Sequence, residues 1–217
     1  MSRNGHLAVF RGPKGTRDDL VEVVRPQLRL VPEEPETLLY LFNISEDEPD
    51  TVWSYERYTD DTGFAAHGHA PGVLEGLQSM PGLTFESHQL DVLPGAKGVP
   101  PGPGLTRMGT SSEVRDARGM LVRYDFDPRS VGECVAQIPQ MFPFVDRDVG
   151  AQLYVWHSDP ARPSTVWLYA MFATDDALES HLAAPDARRA FDRLDGLSTS
   201  QTWRTRLVDG KWLRATP

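Results

Sequence analysis

The 217-residue chain has 40% hydrophobic and 24% charged residues, a balance that supports a water-soluble globular protein with a buried core. Its formal net charge of −9 argues against a phosphate-backbone binder, and no apolar run approaches the ~18 residues that a membrane span needs. The single cysteine, Cys134, excludes an intrachain disulfide, and the opening MSRNGHLAVFRGPKG lacks the apolar stretch of a signal peptide, so a cytoplasmic protein is expected. Lysine occurs only at positions 14, 97 and 211 and arginine takes its place elsewhere, which points to a GC-rich genome such as that of an actinobacterium.

In chain order, residues 7–11 form a short β-like run. Thr16 or Asp18 then caps a helix whose apolar face is Leu20, Val23, Val24, Leu28 and Val31, with Pro26 expected to kink or end it. Two strands follow at 37–44 and 51–59, joined by the turn-rich SEDEPD. Asp60 and Asp61 cap a helix through Phe64 and His67, Pro71 suits the first turn of another, and a strand closes the half at 83–93. The run PGAKGVPPGPG begins an extended connector. The same order then returns. It comprises a strand at 120–126, a helix through Val131, Cys134, Val135, Ile138 and Phe142 that Pro139 should kink or end, and strands at 151–157 and 165–173. A helix through Leu178 and His181, a helix opened by Pro185 and a strand at 197–208 complete it.

The recurrence is a sequence repeat as well as a pattern of elements. Residues 38–71 align without a gap on residues 152–185. Tyr40 falls on Tyr154, Trp53 on Trp167, Tyr55 on Tyr169, Asp61 on Asp175, His67 on His181 and Ala70-Pro71 on Ala184-Pro185. The organisation read from this is a first domain at 1–93, a Pro/Gly-rich linker at 94–118 and a second domain at 119–217. The element order β-α-β-β-α-α-β is close to the ferredoxin-like split βαβ arrangement, an α+β class. Such a sheet covers one face with helices, and the other copy is expected to cover its bare face.

The residues LLYLF, EDEPDTVWSYERYTDD and FAAHGHAPGV carry a family resemblance. The strand ending Tyr55-Glu56-Arg57-Tyr58, the acidic turn and the helical His67 resemble the antibiotic biosynthesis monooxygenase family of the dimeric α+β barrel group. The second half keeps Tyr169, Phe172, His181 and Pro185 but has Ala170 and Met171 in place of the Glu-Arg pair. The resemblance implies two ferredoxin-like βαββααβ domains packed sheet to sheet as an intrachain dimeric α+β barrel. It implies a pseudo-dimer within one chain, leaves open a further homodimer, and places a pocket between sheet and helices in each domain. It also implies oxidation of a phenol- or anthrone-type polyketide intermediate of secondary metabolism, with molecular oxygen as co-substrate and no cofactor. Relatives that degrade haem carry a ligating histidine at positions that fall on Leu77 and Phe191, which speaks against haem here.

Cofactor-free oxygenation needs an aromatic binding wall, a group that takes a proton from the substrate, and charge stabilisation. Strand alternation puts Trp53, Tyr55 and Arg57 on one face, where Arg57 would stabilise a phenolate or peroxide and His67 would exchange a proton. The expected catalytic set is therefore Trp53, Tyr55, Arg57 and His67. The expected substrate-binding set is Asn43, Tyr40, His69, Trp167, Tyr169 and His181. A plainer reading stands beside it. The strand aromatics are core, His67 and His181 brace their helices, Asn43 ends its strand, and Glu56 and Arg57 pair between domains. Because the second half replaces Glu56, Arg57 and His69 with Ala170, Met171 and Ala183, the first pocket is expected to be active and the second structural. No metal is expected, since no cysteine or carboxylate cluster completes a set with His67 and His69. A small aromatic substrate is the expected partner. A cyclase or isomerase on a similar substrate and a non-catalytic ligand binder remain as alternative functions.

Overall fold

The computed structural model describes residues 5–69, 78–93 and 117–212. In the first half, β1 (Gly5–Arg11) leads to α1 (Arg17–Leu30) and a 3-10 turn (Val31–Glu33), then β2 (Thr37–Ser45), β3 (Thr51–Tyr58), α2 (Asp61–Gly68) and β4 (Thr84–Val92). The second half runs β5 (Arg118–Phe126), α3 (Val131–Gln137), a 3-10 turn (Ile138–Met141), α4 (Phe142–Val145), β6 (Ala151–Asp159), β7 (Arg162–Phe172), α5 (Asp175–Ala183), α6 (Pro185–Asp195) and β8 (Ser198–Trp212). Among the described residues no helix is long and apolar enough to cross a membrane. The linker read at 94–118 and the helix at Pro71 fall mostly or wholly outside the described residues.

Helix ends follow local chemistry. The Asp60 carboxylate accepts from the backbone N–H of Thr62 and Gly63, and the Thr174 hydroxyl oxygen accepts from Ala177, capping α2 and α5. Pro185 opens α6, where its missing N–H costs nothing. Pro139 lies in the 3-10 turn after α3 has ended at Gln137. Pro26 does not end its helix, which continues to Leu30. The loss of one helical hydrogen bond is outweighed there by the burial of Leu20 and Val24 in α1 and of Val31 just beyond it.

The expectation of two ferredoxin-like domains packed sheet to sheet is overturned. The strands form a single closed barrel in the order β1-β3-β2-β8-β5-β7-β6-β4, with the helices outside it. Among the described residues all strand pairs are antiparallel, and two of them join the halves. β2 pairs with β8 from Leu39↔Trp212 to Ser45↔Thr205, and β4 pairs with β6 at Asp91↔Ser158 and Val92↔His157. The physical reason is the sheet edge. An open sheet leaves a row of unpaired N–H and C=O groups, and β8, at 15 residues, is long enough to pair with β5 over its first part and with β2 over its second. Gly210 permits this seam, because a Cβ there would lie 2.5 Å from the Tyr40 carbonyl oxygen.

Alternation then gives most strands two buried faces, while the outward side of β4, from Phe85 to Gln89, is exposed. Leu7, Val9, Leu41, Trp53, Tyr55, Leu121, Val155, Trp167, Tyr169 and Trp203 fill the barrel interior as one core drawn from both halves. The outward face of the first half packs Phe10, Tyr40, Phe42 and Val52 against Leu20 and Val24 of α1. The outward face of the second half packs Tyr124, Tyr154, Trp156 and Phe172 against Cys134, Leu178 and Leu194. At ~1.5–3 kcal/mol for each large apolar side chain buried, these three cores are the main source of stability.

Candidate functional site

Three layers therefore compete as functional sites: the barrel interior and two sheet–helix layers. In the interior, Tyr55 donates to His157 Nε2 at 2.9 Å and stacks on Tyr169 at 4.5 Å. Tyr169 donates to the Asn43 side-chain oxygen at 3.2 Å. Burial, offset in part by the charge and hydrogen bond of Arg57, pushes the Tyr55 hydroxyl up to about 12. Burial and the Arg57 charge push His157 down to about 3, so it is neutral across the physiological range. Arg57 is 1% exposed and Trp53 and Trp167 are 2% exposed, so this layer is closed to a solute.

The outward layer of the first half holds a different set. His6 on β1 lies directly opposite Glu56 on β3 in the strand register. Its Nδ1–H donates to Glu56 Oε2 at 2.7 Å, and its Nε2 lies 2.7 Å from the Ser87 hydroxyl on β4. Glu56 also accepts from Ser54 at 2.6 Å and from Tyr58 at 2.5 Å. Burial alone would keep this carboxyl protonated. The charge and hydrogen bond of His6, the charge of His67 and the Ser54 hydroxyl overcome it and hold Glu56 at about 2. Burial and the Glu56 charge together raise both Tyr40 and Tyr58, so both phenols stay neutral. Aromatic rings enclose the carboxylate. Phe64 lies 4.7 Å from His6 and 5.7 Å from Tyr58, and His67 lies 5.3 Å from Tyr40.

His67, on α2, donates through Nδ1 to Glu34 at 2.8 Å. Burial disfavours its charged form, but the Glu34 hydrogen bond and the charges of Glu56 and Glu34 raise its pKa above the ordinary histidine value. The second half repeats this pair, with His181 Nδ1 at 2.9 Å from Asp148 and Tyr154 at 5.5 Å. It does not repeat the network. Met120 stands opposite Ala170 where His6 faces Glu56, and Leu168 and Phe172 occupy the positions of Ser54 and Tyr58. Its sheet–helix layer instead contains a cavity of about 230 Å³ lined by Met120, Val122, Tyr124, Leu178 and Phe191, with Arg204.

The structure thus divides the residues singled out in the sequence. Asn43, Trp53, Tyr55, Trp167 and Tyr169 meet in the barrel interior, with Arg57 on the same inward face. Tyr40 and His67 meet on the other side of that sheet, and His181 lies in the second outer layer. His69 is exposed and donates through Nδ1 to the Ala65 carbonyl at the end of α2. Arg57 and His67 are therefore not in one site, and Glu56 pairs with His6 of its own half rather than across halves. Sequence reasoning passed over His6, Ser54, Ser87 and Glu34. A signal for His6 was present: extending the repeat register back to residue 6 sets His6 against Met120, and the same register sets Glu56 against Ala170.

No protein-family model matches the chain, and no curated protein matches it in sequence. Solved structures do match its fold. A protein from Fusobacterium nucleatum, provisionally named a monooxygenase, aligns over 100% of this chain and 98% of its own at TM-score 0.80 and 13% identity. One from Lactobacillus acidophilus, named likewise, aligns over 98% of both chains at TM-score 0.75 and 9% identity. An anthrone oxidase-like protein aligns over 100% of this chain and 99% of its own at TM-score 0.60 and 10% identity. At these identities the likeness is one of fold.

Proposed function

We propose that the chain is a cofactor-independent monooxygenase acting on a phenol- or anthrone-type substrate, with its chemistry in the outward layer of the first half. The observation that carries this reading is the charged Glu56, 3% exposed, bound to His6 inside a ring of aromatic side chains. The fold shared with proteins named as monooxygenases and anthrone oxidase-like supports it.

In this reading the substrate's acidic group reaches His6 Nε2 in competition with Ser87. The imidazole takes the proton, and the Glu56 carboxylate stabilises the imidazolium that forms. The aromatic walls bind the ring and exclude water. The substrate anion passes an electron to O2. One oxygen atom ends as the new carbonyl, and the other leaves as water with the two hydrogens of the oxidised methylene. His67, whose charged form the Glu34 hydrogen bond favours against burial, adds positive potential to the layer when protonated. Arg57, Trp53 and Tyr55 serve the barrel core. The chain is taken as a duplication, with domains at 1–93 and 119–217, in which the second copy supplies structure.

The test is oxygen uptake and product mass with an anthrone and naphthol panel. Glu56→Gln keeps the shape and should lower kcat by ~10²–10³-fold. Full turnover by that variant sinks the assignment of the base. Turnover under nitrogen with no change of mass assigns a cyclase or isomerase instead, and binding without turnover assigns a ligand-binding protein.

A further inference from the structure

We propose that Ser87, His6 and Glu56 form a nucleophile–base–carboxylate triad that hydrolyses small aryl esters. The three residues come from β4, β1 and β3, neighbours in the barrel, and lie in a row on its outward face. Ser87 Oγ to His6 Nε2 and His6 Nδ1 to Glu56 Oε2 are both 2.7 Å. A carboxylate only accepts, so His6 Nδ1 must be the donor to Glu56. When the imidazole is neutral, Nε2 is then the acceptor facing the serine hydroxyl, the tautomer a general base requires. Ser54 and Tyr58 fix the carboxylate through both its oxygens, and Phe64 packs on the imidazole at 4.7 Å. The supporting shell is thus built, while the nucleophile itself is exposed.

A second observation indicates the ligand class. Phe85 shares the outward face of β4 two residues from Ser87, packs on Phe10 at 5.0 Å and is still 47% exposed. Same-face neighbours on a strand lie ~7 Å apart, the reach of an aryl ring beside its ester carbonyl. In the reaction, Ser87 Oγ bonds to the acyl carbon and its proton passes to His6 Nε2. The acyl–oxygen bond breaks, and the departing phenolate takes that proton. Water then attacks the acyl group, gives one proton to His6, and releases the carboxylic acid as Ser87 Oγ is reprotonated. No oxidant enters. The matched positions of the second half, Met120 and Ala170, supply neither base nor carboxylate.

This inference shares His6 and Glu56 with the oxygenation reading but needs neither O2 nor a phenolic methylene, so the two fail separately. The probes are 4-nitrophenyl acetate for turnover and diethyl 4-nitrophenyl phosphate for labelling, both under nitrogen. The expected result is one phosphoryl adduct on the Ser87 peptide and release of nitrophenolate. Ser87→Ala, at an exposed position, should abolish the adduct and lower hydrolysis by ~10²-fold or more. His6→Gln should lower both, and Phe85→Ala should raise KM with little change in kcat. An adduct on any other residue, no adduct, or hydrolysis undiminished in the folded Ser87→Ala variant overturns the proposal.

Discussion

The two outward layers of this barrel differ in what they bury, although they are built alike. Each sets a helix histidine against a carboxylate from the preceding loop region and a tyrosine on the sheet: His67, Glu34 and Tyr40 in the first, His181, Asp148 and Tyr154 in the second. In the first half the sheet beneath carries His6, Ser54, Glu56 and Tyr58. In the second half, Met120, Leu168, Ala170 and Phe172 occupy those positions and are buried. A buried charge needs partners, and Glu56 has three donors in the first half while the matched positions of the second hold neither the charge nor the donors. What recurs in both layers is tied to structure, and what is confined to one is the better candidate for chemistry.

The harshest way to break that comparison is to put the charge back without its partners. Ala170→Glu should destabilise the protein by ~3–5 kcal/mol, read as a lower urea midpoint, because the carboxylate enters a layer that has Met120, Leu168 and Phe172 where the first half has the donors His6, Ser54 and Tyr58. Adding Met120→His rebuilds the His6–Glu56 arrangement and should recover part of the loss. If Ala170→Glu unfolds at the parent's midpoint, the second layer is not committed to an apolar interior and the contrast between the halves collapses.

Inside the barrel the imbalance is reversed at one position, and this gives the next largest effect. His157 is ionisable where the first half has Asn43. Its pKa is pushed down to about 3 by burial and by Arg57. The unfolded chain binds a proton at this residue near pH 6.5 and the folded chain does not. The stability it contributes is therefore complete above that pH and is lost as pH falls toward 3. By pH 5 the loss amounts to about 2 kcal/mol. His157→Asn, the residue already present at the matched position, should flatten the stability curve between pH 6.5 and 5. An unchanged slope in urea titrations across that range would place the acid sensitivity elsewhere.

Much of the local structure was legible in the sequence, for physical reasons that can be named. Asp60 announced its helix through cap chemistry, and the β-like runs between turn-rich segments located every strand to within a few residues. The closure was not legible. The β2–β8 and β4–β6 seams are backbone pairings, and backbone pairing between distant strands leaves no periodicity. The site was misgrouped for a related reason. Every residue of β3 is buried, so alternation separates Trp53, Tyr55 and Arg57 from Ser54, Glu56 and Tyr58 without indicating which set faces the interior. Arg57 and His67 were joined across a sheet that keeps them apart. Pro26 was expected to kink or end its helix, and it does not end it, because tertiary packing keeps the helix to Leu30.

The smallest effect sharpens the comparison most, because it concerns the feature the two halves share. If the histidine–carboxylate pairs are braces, His67→Asn and His181→Asn should cost similar amounts, about 1.5–3 kcal/mol each, for a lost hydrogen bond to a charged group. The pH dependence carries further content for His67. Its pKa is raised by Glu34 and Glu56 against the effect of burial, so its contribution is full below the unfolded histidine value and is lost as pH rises through the folded one. The deficit of His67→Asn should therefore shrink above neutrality. Activity separates bracing from chemistry: His181→Asn should leave turnover intact once the protein is folded. His67→Asn should lower turnover as well, by withdrawing positive potential from Glu56. Equal stability costs with unequal kcat would locate the functional difference between the halves in the Glu56 network rather than in the histidines. Equal losses of kcat would mean that the second layer takes part in the reaction.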